Sequence, residues 1–213
     1  SLYFAKYVPG NEAVYSILTI LVVPGGAIAT VLIPWFTKHF GKKNTYIYVH
    51  VLGAVVMFAM YFIGRNGGYN NSSNLLWLAI GFVLLGLPQG INNVITYAMI
   101  GDTVEYLEWK TGERAEGICF SMQTFINKIS MAVGAFIGVM AYGISGISPS
   151  DPYNTVTPEG SEKLWAVLIL SGAISMVATI IPMLFYKVTE SKQREYVKEI
   201  EERKAAKAAK TAE

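Results

Sequence analysis

Lys128 places an ammonium group near the middle of an apolar stretch long enough to cross a bilayer. Counted from Glu116, it lies about 12 residues in, or roughly 18 Å deep in a hydrocarbon core about 30 Å thick. A charge at that depth costs about 2.5–3.5 kcal/mol on insertion scales, so it is expected to face a water-filled path or a polar partner. Around it stand Ser121, Gln123, Thr124 and Asn127, whose hydroxyl and amide groups can both donate to and accept from sugar hydroxyls. Lys128 itself can donate to a hydroxyl or pair with a carboxylate on a substrate or a facing helix.

At helical spacing, Gly117, Ser121, Thr124 and Lys128 share one row, and Gln123, Asn127, Ser130, Gly134 and Gly138 share the adjacent one. Together they form a stripe of polar and small residues, with Gly134 and Gly138 spaced for close helix contact. The opposite row, with Ile118, Met122, Phe125 and Ile129, suits lipid or a packed interface. The preceding apolar stretch adds Gln89, Asn92, Asn93, Thr96 and Tyr97 just past Pro88. These residues can form the other wall of the same cavity, or they can hydrogen-bond between helices. Beyond them lie Asp102 and Glu105, three apart on one helical face, followed by Arg114. Acids at a helix C-terminus oppose the macrodipole and call for a compensating cation, for which Arg114 is a candidate. Asp102, Glu105 and Arg114 therefore read as an ionic latch, or gate, on one membrane face.

These side chains need membrane helices to hold them. The chain has 213 residues, 53% of them apolar and only 15% charged, with net charge +2. Its mean hydropathy is +0.39. That balance points to an all-α membrane protein. Five apolar stretches, at about residues 13–36, 44–64, 75–101, 116–142 and 164–186, predict five complete transmembrane helices. A stub of an earlier helix is expected at the start. Residues 1–187 form the membrane part and residues 188–213 a charged tail, expected to be a solvated helix with Glu199 and Arg203 paired at i,i+4. Lys38, Lys42, Lys43, Lys110, Arg114 and the tail fall on one side of the membrane, against Lys6, Arg65 and Lys163 on the other. The positive-inside rule makes the first side, and the C-terminus, cytoplasmic in a multi-pass protein of the cell membrane.

The run from Asp102 through Arg114 and Gly117 to Gln123, Thr124 and Lys128 resembles the signature of the glycoside–pentoside–hexuronide:cation symporters. These are melibiose-permease-like members of the major facilitator superfamily. The resemblance implies the C-terminal half of a twelve-helix transporter with its first helix truncated. It also implies that Gln123, Thr124 and Lys128 serve the sugar site and that Asp102, Glu105 and Arg114 serve a cytoplasmic gate. Asn93 stands where melibiose-type members carry a sugar-stacking tryptophan, which points away from a galactoside.

The expected activity is symport of a glycoside, pentoside or hexuronide with Na⁺ or H⁺ by alternating access. The expected partners are a small sugar, the coupling cation, membrane lipid and an N-terminal half that holds the cation ligands. The expected site residues are Lys128, Gln123, Thr124, Asn127, Asn93 and Gln89. Lysolipid transport and a transport-inactive half-domain are the alternatives. Catalytic constellations, P-loops, dinucleotide fingerprints and metal-ligand spacings around His39, His50 or Cys119 do not occur, so neither an enzyme, a bound cofactor nor a nucleic-acid partner is expected. His39 reads as a loop residue, and His50 reads as a packing residue or a proton relay.

Overall fold

The computed structural model describes residues 17–18, 20–146 and 157–211. The stub and the beginning of the first apolar stretch lie outside the described residues, as does most of the loop predicted near residue 150. The described residues form helices α1 (Val22–Gly64), α2 (Ser72–Thr111), α3 (Glu116–Ile144), α4 (Pro158–Leu184) and α5 (Glu190–Thr211), with a 3₁₀ turn at Gly68–Asn70. Helices α1 to α4 are each long and apolar enough to cross a membrane.

The first two predicted spans both fall in α1, which is broken at Gly41. That residue adopts φ 77° and ψ 162°, outside the helical region. A positive φ of this size is open to glycine without a Cβ clash, so the chain turns there into a second limb. The predicted count of five spans thus appears as two limbs of α1 plus α2, α3 and α4. Asn71 caps α2 by accepting from the Ser73 amide at 3.0 Å, and Thr157 caps α4 by accepting from the Gly160 amide at 3.0 Å.

The third predicted span, which placed Asp102 and Glu105 at a helix C-terminus, runs further than expected. Helix α2 continues to Thr111 and ends on Gly112 at φ 80°. Residues 102–111 therefore extend the apolar span by about 15 Å past its end. Asp102 is not at a helix terminus, so the macrodipole argument does not apply to it.

Two apolar clusters hold α1, α2 and α4 together. One joins Met60, Leu78, Leu164 and Trp165. The other joins Ala29, Tyr46, Val49, Ile91 and Ile95 on the side nearer the tail. The first limb of α1 meets α2 at an unusually small separation. A Cβ built on Gly25 would lie 1.9 Å from the Val83 carbonyl oxygen, and one on Gly86 2.2 Å from that of Val22. Only hydrogen at these positions permits such an approach, and the gain is van der Waals and Cα–H···O contact.

Helix α3 is packed quite differently. Within Glu116–Ile144 the single buried residue is Ala141, which joins the cluster around Trp165. The tail is the expected charged helix and is exposed from residue 201 to residue 210, but its first half packs along the extension of α2, with Ile200 buried.

Candidate functional site

The residues of the predicted stripe are all carried by α3, but they are not equivalent. Cys119, Gln123 and Gly138 are partly covered and Ala141 is buried, which identifies the row turned toward the rest of the molecule. Asn127 continues that row by helical spacing and is exposed. Thr124 and Lys128 lie on the neighbouring row and are exposed. The Thr124 hydroxyl donates to the Phe120 carbonyl at 3.0 Å, a bond within its own helix. Among the described residues Lys128 has no hydrogen-bond or ion-pair partner. The ammonium therefore stands on an open helix face at mid-span.

The α2 residues lie elsewhere. Gln89 and Asn92 line a cavity of about 450 Å³ between α1, α2 and α4, together with His50, Pro88, Ser175 and Thr179. The Tyr46 hydroxyl donates to Asn92 Oδ1 at 3.1 Å, and the Thr96 hydroxyl donates to the same oxygen at 3.2 Å. His50 is buried, and its Nδ1–H donates to the Tyr46 carbonyl at 2.8 Å. The His50 and Tyr46 rings stack at 4.0 Å. A second cavity of about 330 Å³ continues past Tyr46 and Thr179 to Tyr186 and Thr103. Asn93 is exposed and lines neither cavity. The six predicted binding residues are thus distributed over a cavity edge and open faces of α2 and α3, rather than gathered into one pocket by the described residues.

The acidic cluster is well partnered, though not as expected. The Lys42 ammonium meets both carboxylate oxygens of Asp102, at 2.6 and 2.7 Å, and the Asp102 side chain is only 8% exposed. Lys42 follows the α1 break at Gly41, so the backbone turn delivers this cation. Arg114 contacts neither Asp102 nor Glu105. It bonds Glu108 at 3.1 Å and Glu116 at 3.2 Å. Glu105 accepts from Gln193 Nε2 of α5 at 2.6 Å.

Glu108, Lys42 and Lys204 were missed by the sequence reading. The signal for Glu108 was present: Asp102, Glu105 and Glu108 recur every three residues and share a helical face. Lys42 entered only as a count for membrane orientation. Glu108 is buried beyond the apolar part of α2, and Lys204 reaches its other oxygen at 2.6 Å. The hydrogen bond from Lys204, with a smaller contribution from Arg114, holds the Glu108 carboxyl below the usual carboxylate range despite burial.

Long apolar helices, a mid-span ammonium and a charged cluster past one end of a span define a multi-pass helical membrane protein with a transporter's distribution of polar groups. The chain belongs to the MFS/sugar transport protein family, whose model matches residues 1–190. It is 27% identical over 205 residues to a protein of Escherichia coli (strain K12) named glucuronide carrier protein homolog, covering 96% of this chain and 43% of that protein. It is 31% identical over 204 residues to a putative sulfoquinovose importer of the same organism, covering 95% and 41%. A raffinose carrier protein of Pediococcus pentosaceus is 28% identical over 206 residues, covering 94% and 30%. The chain therefore spans less than half the length of these relatives. Their names are those of transporters rather than enzymes, and they bear out the glycoside–pentoside–hexuronide resemblance of the run from Asp102 to Lys128.

Proposed function

We propose that this chain is the substrate-gating part of a carrier that moves a small glycoside, pentoside or hexuronide across the cell membrane in symport with Na⁺ or H⁺. The observation that supports it most is Lys128, an ammonium exposed at mid-span on a helix face that also bears Thr124, next to a row bearing Gln123 and Asn127. A membrane-buried charge is stable when a hydrated path or a polar ligand solvates it. An open face is where such a path would run, between this chain and the remaining length found in its relatives. Lys128 donates to a sugar hydroxyl or carboxylate, while Gln123, Thr124, Asn127, Gln89 and Asn93 supply amide and hydroxyl contacts. Asp102, Glu105 and Arg114 belong to a gate on the tail side, which the lysine and arginine distribution makes cytoplasmic. Lys42 neutralises Asp102 of this gate, and Arg114 and Lys204 neutralise the neighbouring Glu108.

The test is gradient-driven uptake by the full-length gene product in membrane vesicles. Lys128→Ala should abolish uptake of glucuronides and pentosides while leaving membrane expression intact. Uptake at the unsubstituted rate would overturn the role given to Lys128.

A further inference from the structure

Helix α5 is bound to α2 by directional contacts along much of its length. At its start the Glu190 carboxylate accepts from the Lys42 backbone amide, beside the α1 break. Gln193 donates to Glu105 at 2.6 Å. The Tyr196 ring lies 4.6 Å from that of Trp109 and 5.6 Å from that of Tyr106. Trp109 Nε1–H donates to Glu199 at 2.7 Å, and Arg203 donates to the Trp109 carbonyl at 2.7 Å. Lys204 closes the series on Glu108.

Glu108 is the node of this arrangement. One carboxylate oxygen, Oε1, takes Lys204 of α5, and the other, Oε2, takes Arg114 of the short turn that leads into α3. Arg114 also binds Glu116, the first residue of α3. One carboxylate thus joins the tail helix to the foot of the helix that carries Lys128. Among the described residues α3 has little else to fix its tilt, because Ala141 near its far end is its single buried residue. A helix anchored at its two ends and open between them responds to whatever holds either end.

We propose that α5 is a strap that sets the position of α3 through Glu108, so that release of the tail loosens the foot of α3 and changes access to its polar stripe. The strap makes the tail a control element for the α3 site. It rests on the proposed transport function only for its physiological consequence.

Cys119, one turn into α3 on the partly covered row, is a native reporter. The experiment measures its labelling rate by a maleimide in the full-length gene product in membranes, read by mass spectrometry of the peptide that contains it. Lys204→Ala should raise the rate roughly threefold or more, since an ion pair of this exposure contributes modestly. A chain ended after Thr189 should raise it at least as much. Lys210→Ala, on the exposed end of α5, should leave it unchanged. Salt should accelerate labelling in the unsubstituted protein and do so less in the shortened chain, because it screens the Lys204–Glu108 pair. Unchanged labelling in both Lys204→Ala and the shortened chain would overturn the proposal. So would equal salt dependence in the shortened and unsubstituted chains. The readout needs no transport, so failure of the transport reading is told separately by uptake.

Discussion

Gly86→Ala adds one methyl group where the first limb of α1 crosses α2. The new Cβ would stand 2.2 Å from the Val22 carbonyl oxygen, 2.6 Å from the Gly26 nitrogen and 2.7 Å from the Gly25 Cα. All three atoms are backbone, so no side-chain rotation relieves the overlap. The two helices must part by about 1 Å to reach ordinary contact, which also loosens the neighbouring approaches at Gly25 and Gly90. Overpacking costs about 1–3 kcal/mol, and rigid backbone on both sides places this case near the upper end. In a chain of this size that corresponds to a fall in Tm of roughly 6–12 °C. Gly101→Ala is the matched control on the same helix, because a Cβ there meets nothing within 4 Å. Its effect should be neutral or a gain of up to about 1 kcal/mol from helix propensity. Thermal unfolding of both purified variants in one detergent is the assay. Equal Tm values for Gly86→Ala and Gly101→Ala would refute the close-crossing argument.

Two further outcomes follow from the charged cluster. Lys42→Met leaves the Asp102 carboxylate buried without its cation and should destabilise by about 2–4 kcal/mol. Adding Asp102→Asn should recover at least about 1 kcal/mol of that loss in a double-mutant cycle, and simple additivity would argue against the pair. The Glu108 carboxyl is held below its ordinary value by Lys204 and Arg114. A depressed folded value means that its contribution is complete above the unfolded carboxylate range and is lost as pH falls through the folded value. Attachment of α5, followed by protease cleavage between α4 and α5, should therefore hold from pH 7 down to about 5 and weaken below about 4. Glu108→Gln should remove much of that acid dependence. For substrate class, excess lysolipid should leave sugar uptake unaffected at concentrations below its micellar range, and strong competition would favour a lipid carrier.

The spans were legible because membrane insertion selects for uninterrupted apolar length, which a sequence displays directly. The paired spacing of Glu199 and Arg203 was legible for a similar reason. Their 3.1 Å contact follows from one turn of helix. The full extension of α2 was not legible, since Asp102 and Glu105 read as the end of a helix and the charged residues beyond them carry no apolar stripe to show that it runs on to Thr111 and buries Val104 and Glu108. The docking of α5 depends on Tyr196 and Glu199 meeting Trp109 across about 90 residues of chain, and local periodicity carries no such information. The same holds for Lys42 and Asp102, 60 residues apart, whose meeting depends on the turn at Gly41. Within the candidate site, residue types were readable and their distribution was not. Helical spacing put Gln123 and Lys128 in one stripe, whereas packing at Cys119, Gln123 and Ala141 turns one row inward and leaves Lys128 outside it.

The most direct test is substrate protection at α3. Asn127→Cys, placed in a Cys119→Ser background of the full-length gene product, would be treated with a maleimide in membranes, with and without saturating glucuronides, pentosides and raffinose. The account predicts that at least one of these sugars slows labelling of residue 127 and leaves a cysteine at Lys210 unaffected. Labelling of residue 127 at the same rate with every sugar would contradict the assignment of the α3 stripe to substrate.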